Sequence, residues 1–298
     1  MTKRQRTILL TGINGQVGYE LARSLQGLGR VIALDRQALD LSEPESIRRV
    51  VREIEPQLIV NPAAYTAVDQ AETDVAAATR LNVEVPAVFA EEAKRVGAAL
   101  VHYSTDYVYA GEGERRYVET DPVGPRNVYG RTKLDGERAI VASGCRHLIL
   151  RTSWVYGMRG RNFLKTMLRL GAERDELNVV ADQIGAPTWS RTIADLTAAI
   201  LAQSVATGCT SDDWWTNHSG IYHLAAAGET SWHGFAEAIF AESGGERRPL
   251  VRPIPASAYP TPATRPSNSR LSMDKLERSF GLTVPDWREA LRLCMRTD

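Results

Sequence analysis

An α/β fold is what this sequence predicts, with a doubly wound parallel sheet and a smaller lobe towards the C-terminus. Three observations carry that prediction. Short, almost uniformly apolar runs alternate with helical stretches through the first half of the chain, as in buried parallel strands covered by helices on both faces. A glycine-rich turn follows the first of these runs. Beyond about Trp154 the alternation loosens, and glycine, proline and tryptophan become frequent.

The elements follow in order. Thr7–Leu10 reads as the first strand, and Val17–Leu28 has helical periodicity. Val31–Leu34 is the second strand and ends at Asp35-Arg36. Ser42-x-x-Glu45 is a capping-box signature with Pro44 tolerated in the first turn, which predicts a helix over Glu43–Ile54. Leu58–Val60 makes a third strand, halted by Asn61-Pro62. Ala71–Val96 is a long helical segment with a break expected near Pro86. Ala99–Tyr103, the helix Val128–Ala142 and the strand His147–Arg151 complete the alternation. Ala256–Ser269 is rich in Pro, Ser and Thr and reads as a loop. The division expected is residues 1–155 as one domain, to which the chain returns within 190–225, with 156–298 mainly a second lobe over the carboxyl edge of the sheet.

Bulk composition narrows the function. Apolar residues make up 43% of 298 residues, enough for a substantial core, and Lys+Arg and Asp+Glu both number 36. No basic tail or cationic repeat points to nucleic acid or a membrane surface. The three cysteines, Cys145, Cys209 and Cys294, fit no metal or redox spacing and read as thiols of a reducing compartment. The five histidines form no His-Glu-x-x-His pattern, so no metal is expected. The apolar run after the basic start breaks at Gly12-Ile-Asn14, too soon for a signal peptide, and no stretch is long enough to span a bilayer. A cytoplasmic protein is the expectation.

Gly12, Gly15 and Gly18 are spaced G-x-x-G-x-x-G between the first strand and the first helix. In a Rossmann-type unit the first glycine permits the tight turn, the second lets backbone approach pyrophosphate, and the third lets helix pack on strand. The helix N-terminus then offers free N–H groups to the phosphates. Asp35, at the end of the second strand, sits where an acid bonds the adenosine ribose and favours NADH. Arg36 follows at once and suits a 2′-phosphate, so the choice between NADH and NADPH stays open; Asp40-Leu41 is a second contact, near the adenine.

Tyr129-Gly-Arg-Thr-Lys133 and Ser104-Thr105-Asp106 supply the chemistry. Reduction of a carbonyl needs a proton for the developing alkoxide. A phenol of ordinary pKa near ~10 is a poor donor at neutral pH, and a neighbouring cation corrects this. Lys133 lies one helical turn after Tyr129, on the same face. Thr105, at the carboxyl end of the fourth strand, offers a hydroxyl to the reacting oxygen. In a chain with ten tyrosines and five lysines the Tyr/Lys pair alone would be weak, but its order after the glycine loop and the hydroxyl pair is far more specific.

Together these segments resemble the extended short-chain dehydrogenase/reductase family. The likeness extends over Asn61-Pro-Ala-Ala-Tyr-Thr-Ala-Val-Asp69, His102-Tyr-Ser-Thr-Asp-Tyr-Val108, Arg151-Thr-Ser-Trp-Val-Tyr156, Asp182-Gln-Ile-Gly-Ala-Pro-Thr188 and Arg265-Pro-Ser-Asn-Ser-Arg-Leu271. It implies an NADPH- or NADH-dependent reduction of the C4 keto group of dTDP-4-dehydro-L-rhamnose to dTDP-L-rhamnose, a step towards surface polysaccharides such as the lipopolysaccharide O-antigen. It further implies that Asn14, Gly15, Gln16, Val17, Asp35, Asp40, Leu41, Ala64, Tyr65 and Thr66 line the cofactor. Thr105 and Asp106 would meet the sugar, with Tyr129 as proton donor and Lys133 its partner. Trp154 would lie against the hexose or its nucleotide, with a core aromatic as the plainer alternative, and Asn162, Trp232 and Arg265 would serve the diphosphate-nucleoside end. Some relatives pair through a metal held by carboxylates of both subunits; Arg191 and Arg288 stand where two of those acids would align, although Glu20 remains, so a monomer or weak homodimer is expected. Two rivals stand beside this reading: a nucleotide-sugar 4-epimerase or dehydratase of the same fold, and a non-catalytic dinucleotide-binding regulatory subunit. Asp106-Tyr107 lacks half of a dehydratase's Asp-Glu pair, and a mere binder has no need of a proton donor.

Overall fold

The computed structural model describes residues 6–206, 211–244 and 248–296. β1 (Thr7–Leu10) enters the glycine loop, and α1 (Gln16–Ser24) leaves it. The expected helix to Leu28 ends four residues early, because the chain passes into a single tight turn at Gln26–Leu28, with Gly27 at its centre and Gly29 (φ +159°) closing it, that cannot extend the helix. β2 (Arg30–Ala33) and α2 (Pro44–Ile54) follow. The capping box does not form. Ser42 gives both its backbone N–H and its hydroxyl to Asp40 Oδ1 (2.9 and 2.7 Å), so the local Asp turn takes the group the helix would have used.

β3 (Leu58–Asn61) leads to α3 (Val68–Ala71) and α4 (Val75–Thr79), the latter capped by Asp74. A wide π-helical segment, Arg80–Glu84, then joins α4 to α5 (Val85–Val96). The break expected near Pro86 therefore lies elsewhere: the helical stretch is interrupted at residues 72–74. The wide turn ahead of Pro86 accommodates the missing N–H without ending the helix. β4 (Ala99–Thr105), α6 (Val128–Ser143) and β5 (Arg146–Thr152) complete the first half.

The second half holds β6 (Val155–Tyr156), α7 (Phe163–Glu173), β7 (Glu176–Val180), β8 (Ile184–Gly185), β9 (Thr188–Trp189), α8 (Ser190–Ala206) and α9 (Ser211–His218). β10 (Gly220–His223), β11 (Thr230–Ser231), α10 (Trp232–Glu242), β12 (Leu250–Ile254), α11 (Asp274–Phe280) and α12 (Trp287–Arg296) follow. The Pro-rich stretch 256–269 is irregular apart from one tight turn at Ala256–Ala258 and a bridge from Asn268 to Ile184.

Six parallel strands form the main sheet, in the order β10-β5-β4-β3-β1-β2. Strand alternation splits its core between the two faces. Leu9, Ile59, Leu100 and Ile149 face α2 and α5, whereas Ile8, Leu10, Val60, Val101 and Leu150 face α1 and α8. All nine are sealed from solvent, so truncating Leu9 to alanine should cost about 2–5 kcal/mol. Order reverses between β1 and β3, which opens a crevice at their carboxyl ends, the place where such sheets bind ligands. A separate cluster of Tyr156, Leu164, Phe235, Ile239, Phe240 and Trp287 gathers elements from the second half of the chain. Cys145 and Cys294 are buried, and Cys209 lies outside the described residues. No helix among the described residues is long and apolar enough to cross a membrane.

Candidate active site

The crevice is built first from backbone. Gly12 adopts φ +61°, and a Cβ there would stand 3.0 Å from the Ala63 backbone nitrogen, so the loops after β1 and β3 meet only because this residue is glycine. A Cβ on Gly18 would collide with the Gly12 carbonyl, which ties α1 to the turn. These loops bound a cavity of about 320 Å³ lined by Thr11–Gly15, Asp35, Arg36, Asp40, Leu41, Ala64 and Arg80, among others. Cavity and glycine cradle together fit the adenosine-diphosphate half of a dinucleotide. Asp35 Oδ1 accepts from the N–H groups of Gln37 and Ala38, both at 2.9 Å, which fixes the carboxylate at the cavity wall. Arg80 is anchored on the Ser42 carbonyl (3.1 Å) at the same rim as Arg36, so two guanidiniums stand beside two carboxylates. Val17 packs into the core instead of lining the cavity, and Thr66 is exposed.

The reacting end is built from side chains. Asn127 caps α6 through Gly130 N–H (2.7 Å), and Glu72 accepts from Val128 N–H (2.7 Å), so the helix start carrying Tyr129 is fixed twice. Thr105 donates to Asp106 Oδ1 (3.0 Å) and lies beside the Tyr129 hydroxyl. Tyr107 packs edge-on to Tyr129 with ring centroids 5.5 Å apart. Burial pushes the Tyr129 phenol well up from its ordinary value, and the Thr105 hydroxyl pulls the other way. Asp106 is buried and its carboxyl is raised to about 6 by loss of solvent, with the Ser269 and Thr105 hydroxyls pulling the other way. Ser269 Oγ is near the carboxyl, but its geometry to Oδ2 is too poor to satisfy either atom. An orphaned buried acceptor at a strand's carboxyl end suits a ligand hydroxyl.

Lys133 departs from expectation. Its ammonium donates to the Tyr103 carbonyl (2.6 Å) and lies 3.0 Å from His102 Nε2, and its bonds do not run to Tyr129. Burial lowers it to about 8 against a smaller upward pull from Glu137. The lysine is thus held by the strand end beneath the tyrosine instead of on the phenol itself. Shared helical face is a statement about directions along α6, and β4 claims the side chain first.

Trp154 takes φ +47°, a conformation that costs a bulky residue of order 1–3 kcal/mol. There it stacks on Trp232 with centroids 3.6 Å apart and planes 10° from parallel. Gly185 makes room for the pair, since a Cβ there would meet Trp154 at 2.8 Å. Arg265 bonds Asp69 Oδ2 (2.7 Å), and Asn127 Nδ2 donates to the Thr264 carbonyl (2.9 Å), so the Pro-rich loop is strapped across the mouth of the site. Asn162 caps α7 through Lys165 N–H (3.1 Å). Its Nδ2 donates to Gln16 Oε1 (2.8 Å), which puts it on the glycine loop.

Over residues 6–298 the chain matches the family described as RmlD substrate binding domain. The chain belongs to that family. A dTDP-4-dehydrorhamnose reductase from Burkholderia thailandensis is 52% identical over 97% of this chain and 98% of its own. Among solved structures, the Clostridium acetobutylicum dTDP-4-dehydrorhamnose reductase superposes with a TM-score of 0.89 at 36% identity, over 97% of this chain and 98% of that one. The Bacillus anthracis dTDP-4-dehydrorhamnose reductase, solved in complex with NADP, gives 0.87 at 35% identity, over 98% and 99%. Membership in the RmlD substrate binding domain family agrees with a nicotinamide dinucleotide as cofactor and with the enzyme class read from the motifs.

Several residues around the site escape sequence reasoning. Asn82, in the π-helical segment, accepts from Tyr65 N–H (2.9 Å) and donates to the Tyr65 carbonyl (3.2 Å) and to Thr132 Oγ1 (3.0 Å), fixing the Ala64–Thr66 loop against α6. Glu137 and Arg151 form a buried two-bond pair (2.9 and 2.6 Å), and Arg151 also donates to Tyr109. A charged residue inside a strand and another inside a helix were the available signal, but only proximity pairs them. Among the described residues no cluster of His, Cys, Asp and Glu could hold a metal; Arg191 pairs with Asp195 (3.6 Å) and Arg288 lies over Trp287.

Proposed function

We propose that this protein reduces the C4 keto group of dTDP-4-dehydro-L-rhamnose to dTDP-L-rhamnose with NADPH or NADH. The observation that carries the reading is the convergence of Thr105, Asp106 and Tyr129 at the carboxyl end of β4, beside the glycine crevice, in a member of this family. When bound, the dihydronicotinamide supplies the hydride. Tyr129 donates its proton to the nascent C4 alkoxide, and Thr105 bonds the same oxygen. Lys133, one helical turn after Tyr129 and bonded to β4, has the role of a nearby positive charge that favours the phenolate as it forms. Asp106 Oδ2 accepts from a sugar hydroxyl, and the Trp154–Trp232 stack offers a flat apolar face to the hexose or the nucleotide.

We further assign residues 1–155 with the returning strand β10 to cofactor binding and 156–298 mainly to the sugar nucleotide. The same reading puts the protein in the cytoplasm, where reduced cofactor and sugar nucleotides are made, as a monomer or weak homodimer. The test is consumption of NADPH and of NADH by the purified protein with dTDP-4-dehydro-L-rhamnose, followed at 340 nm. Turnover of that substrate supports the proposal. No turnover, with tightly bound stoichiometric NAD in the purified protein, would turn the assignment to a 4-epimerase.

A further inference from the structure

A run of buried polar groups connects the glycine turn to Lys133, and nothing in the reaction as described uses it. Thr11 Oγ1 donates to Asn61 Oδ1 at 2.7 Å, Asn61 Nδ2 lies 3.4 Å from His102 Nδ1, and His102 Nε2 lies 3.0 Å from Lys133 Nζ. Thr11, Asn61, His102 and Lys133 are all sealed from water, at 1%, 0%, 0% and 1% exposure. A histidine fully enclosed in a strand has no solvent role, and an apolar residue would fill the same volume without the cost of burying an imidazole.

We propose that His102 is the positioning residue of the lysine, fixing both the direction and the charge of the Lys133 amine. The inference rests on the functional reading only in so far as Lys133 serves catalysis. An ammonium has three N–H donors. One is taken by the Tyr103 carbonyl and a second by His102 Nε2, and the two together fix the direction of the third. Without the imidazole the amine could rotate about its last bond, and the third donor would lose its aim. The charge argument runs in the same direction. A neutral imidazole accepting from an ammonium makes a charge-assisted bond, stronger than any bond it makes to the neutral amine, so it favours the charged form. Burial and the Lys133 charge both hold His102 well below its ordinary value, so the ring stays neutral and able to accept. The other charged group facing Lys133 is Glu137, one turn further along α6 and neutralised by Arg151 from β5; Tyr129 precedes it by one turn. Accepting at Nε2 puts the ring proton on Nδ1, and Asn61, on β3 and uncharged, takes that N–H at its backbone carbonyl. The Asn61 side-chain Nδ2, a donor 3.4 Å from Nδ1, does not bond the ring in this tautomer.

The chain has only five lysines, so each Cε can be followed in protein labelled with 13C-lysine. In His102→Leu the Lys133 titration midpoint should fall by about one pH unit or more, the usual worth of a hydrogen bond to a charged group. His102→Gln, which restores an acceptor oxygen, should return it most of the way, and the alkaline limb of kcat/KM should move with it. A Lys133 midpoint that is the same in wild type and His102→Leu overturns the proposal. Should that variant not fold, 15N-histidine spectra of the wild-type protein decide: the His102 ring nitrogens must shift as Lys133 titrates, and ring signals indifferent to that transition overturn it equally. A protein that shows the His102-dependent titration yet fails to reduce the 4-keto sugar refutes the proposed function and leaves the positioning role standing. Turnover with an unmoved Lys133 refutes the positioning role alone.

Discussion

The two ends of the crevice are made by different means. At the adenosine end the walls are main chain: a left-handed Gly12 against Ala63, Gly18 against the Gly12 carbonyl, and a cavity of about 320 Å³ standing open. At the end we assign to the sugar the walls are side chains that occupy one another, with Trp154 stacked on Trp232 and Arg265 held by Asp69. The first is a mould set by backbone geometry, which resists change. The second is an arrangement of rotamers, which a ligand can rearrange at modest cost, and whose strained Trp154 stores part of that cost in advance.

Substitutions break or sharpen this contrast. Tyr129→Phe removes the proton donor while keeping the ring, so kcat should fall by roughly 10²–10⁴-fold with the circular dichroism spectrum unchanged. Near-normal turnover would remove Tyr129 from the chemistry. Gly18→Ala tests the mould. Its Cβ must displace the Gly12 carbonyl, and an overpacking cost of about 1–3 kcal/mol should weaken NADPH binding by roughly tenfold to a hundredfold in a fluorescence titration. If the loss were to fall on the sugar nucleotide instead, the two ends would not be independent.

Acidity distinguishes the ends as well. Asp106, raised to about 6, is a charged, acceptor-only carboxylate above that pH, and Lys133, lowered to about 8, is mostly charged below its own value. The kcat/KM profile should therefore decline about tenfold per unit below about 6 and again above about 8. A flat profile from 5 to 9 would exclude both groups. Trp154→Ala should raise KM for the sugar nucleotide by about tenfold with little change for NADPH, the difference expected of an aromatic platform. Equal rises for the two would mean that the stack supports the whole crevice. Smallest is Arg36→Ala, where loss of one exposed cation should reduce the NADPH/NADH preference by about two- to fivefold. An unchanged ratio would leave Arg80 as the phosphate-facing cation.

Much of the mould was legible in the sequence because backbone has few options: uniformly apolar strands, a glycine turn and helical periodicity each announce one geometry. Thr105, Tyr129 and Lys133 could be named from their order along the chain. What could not be read were the choices made between competing partners. Ser42 suited a helix cap but lay closer to Asp40, and Pro86 suited a helix end but was absorbed by a wide turn. Lys133 suited the tyrosine on its own helix, yet β4 presents a carbonyl and an imidazole at the depth its amine reaches. His102 lay in plain view within a buried strand, where its neighbours made it look like core. Asn162 was set apart from the glycine loop by most of the first domain, and only the fold puts it on Gln16.

Asn82, which holds the Tyr65 loop against α6, also approaches Gly136 of that helix through its backbone carbonyl. The π-helical turn aims the Asn82 carbonyl straight at α6, and the helix passes it with no β-carbon in between. A single methyl group added there would act as a wedge, lifting the rail on which Tyr129 and Lys133 ride away from the sheet. Such a chain would keep every reactive group in its inventory and still be silent, so an intact set of motifs does not by itself guarantee a working enzyme.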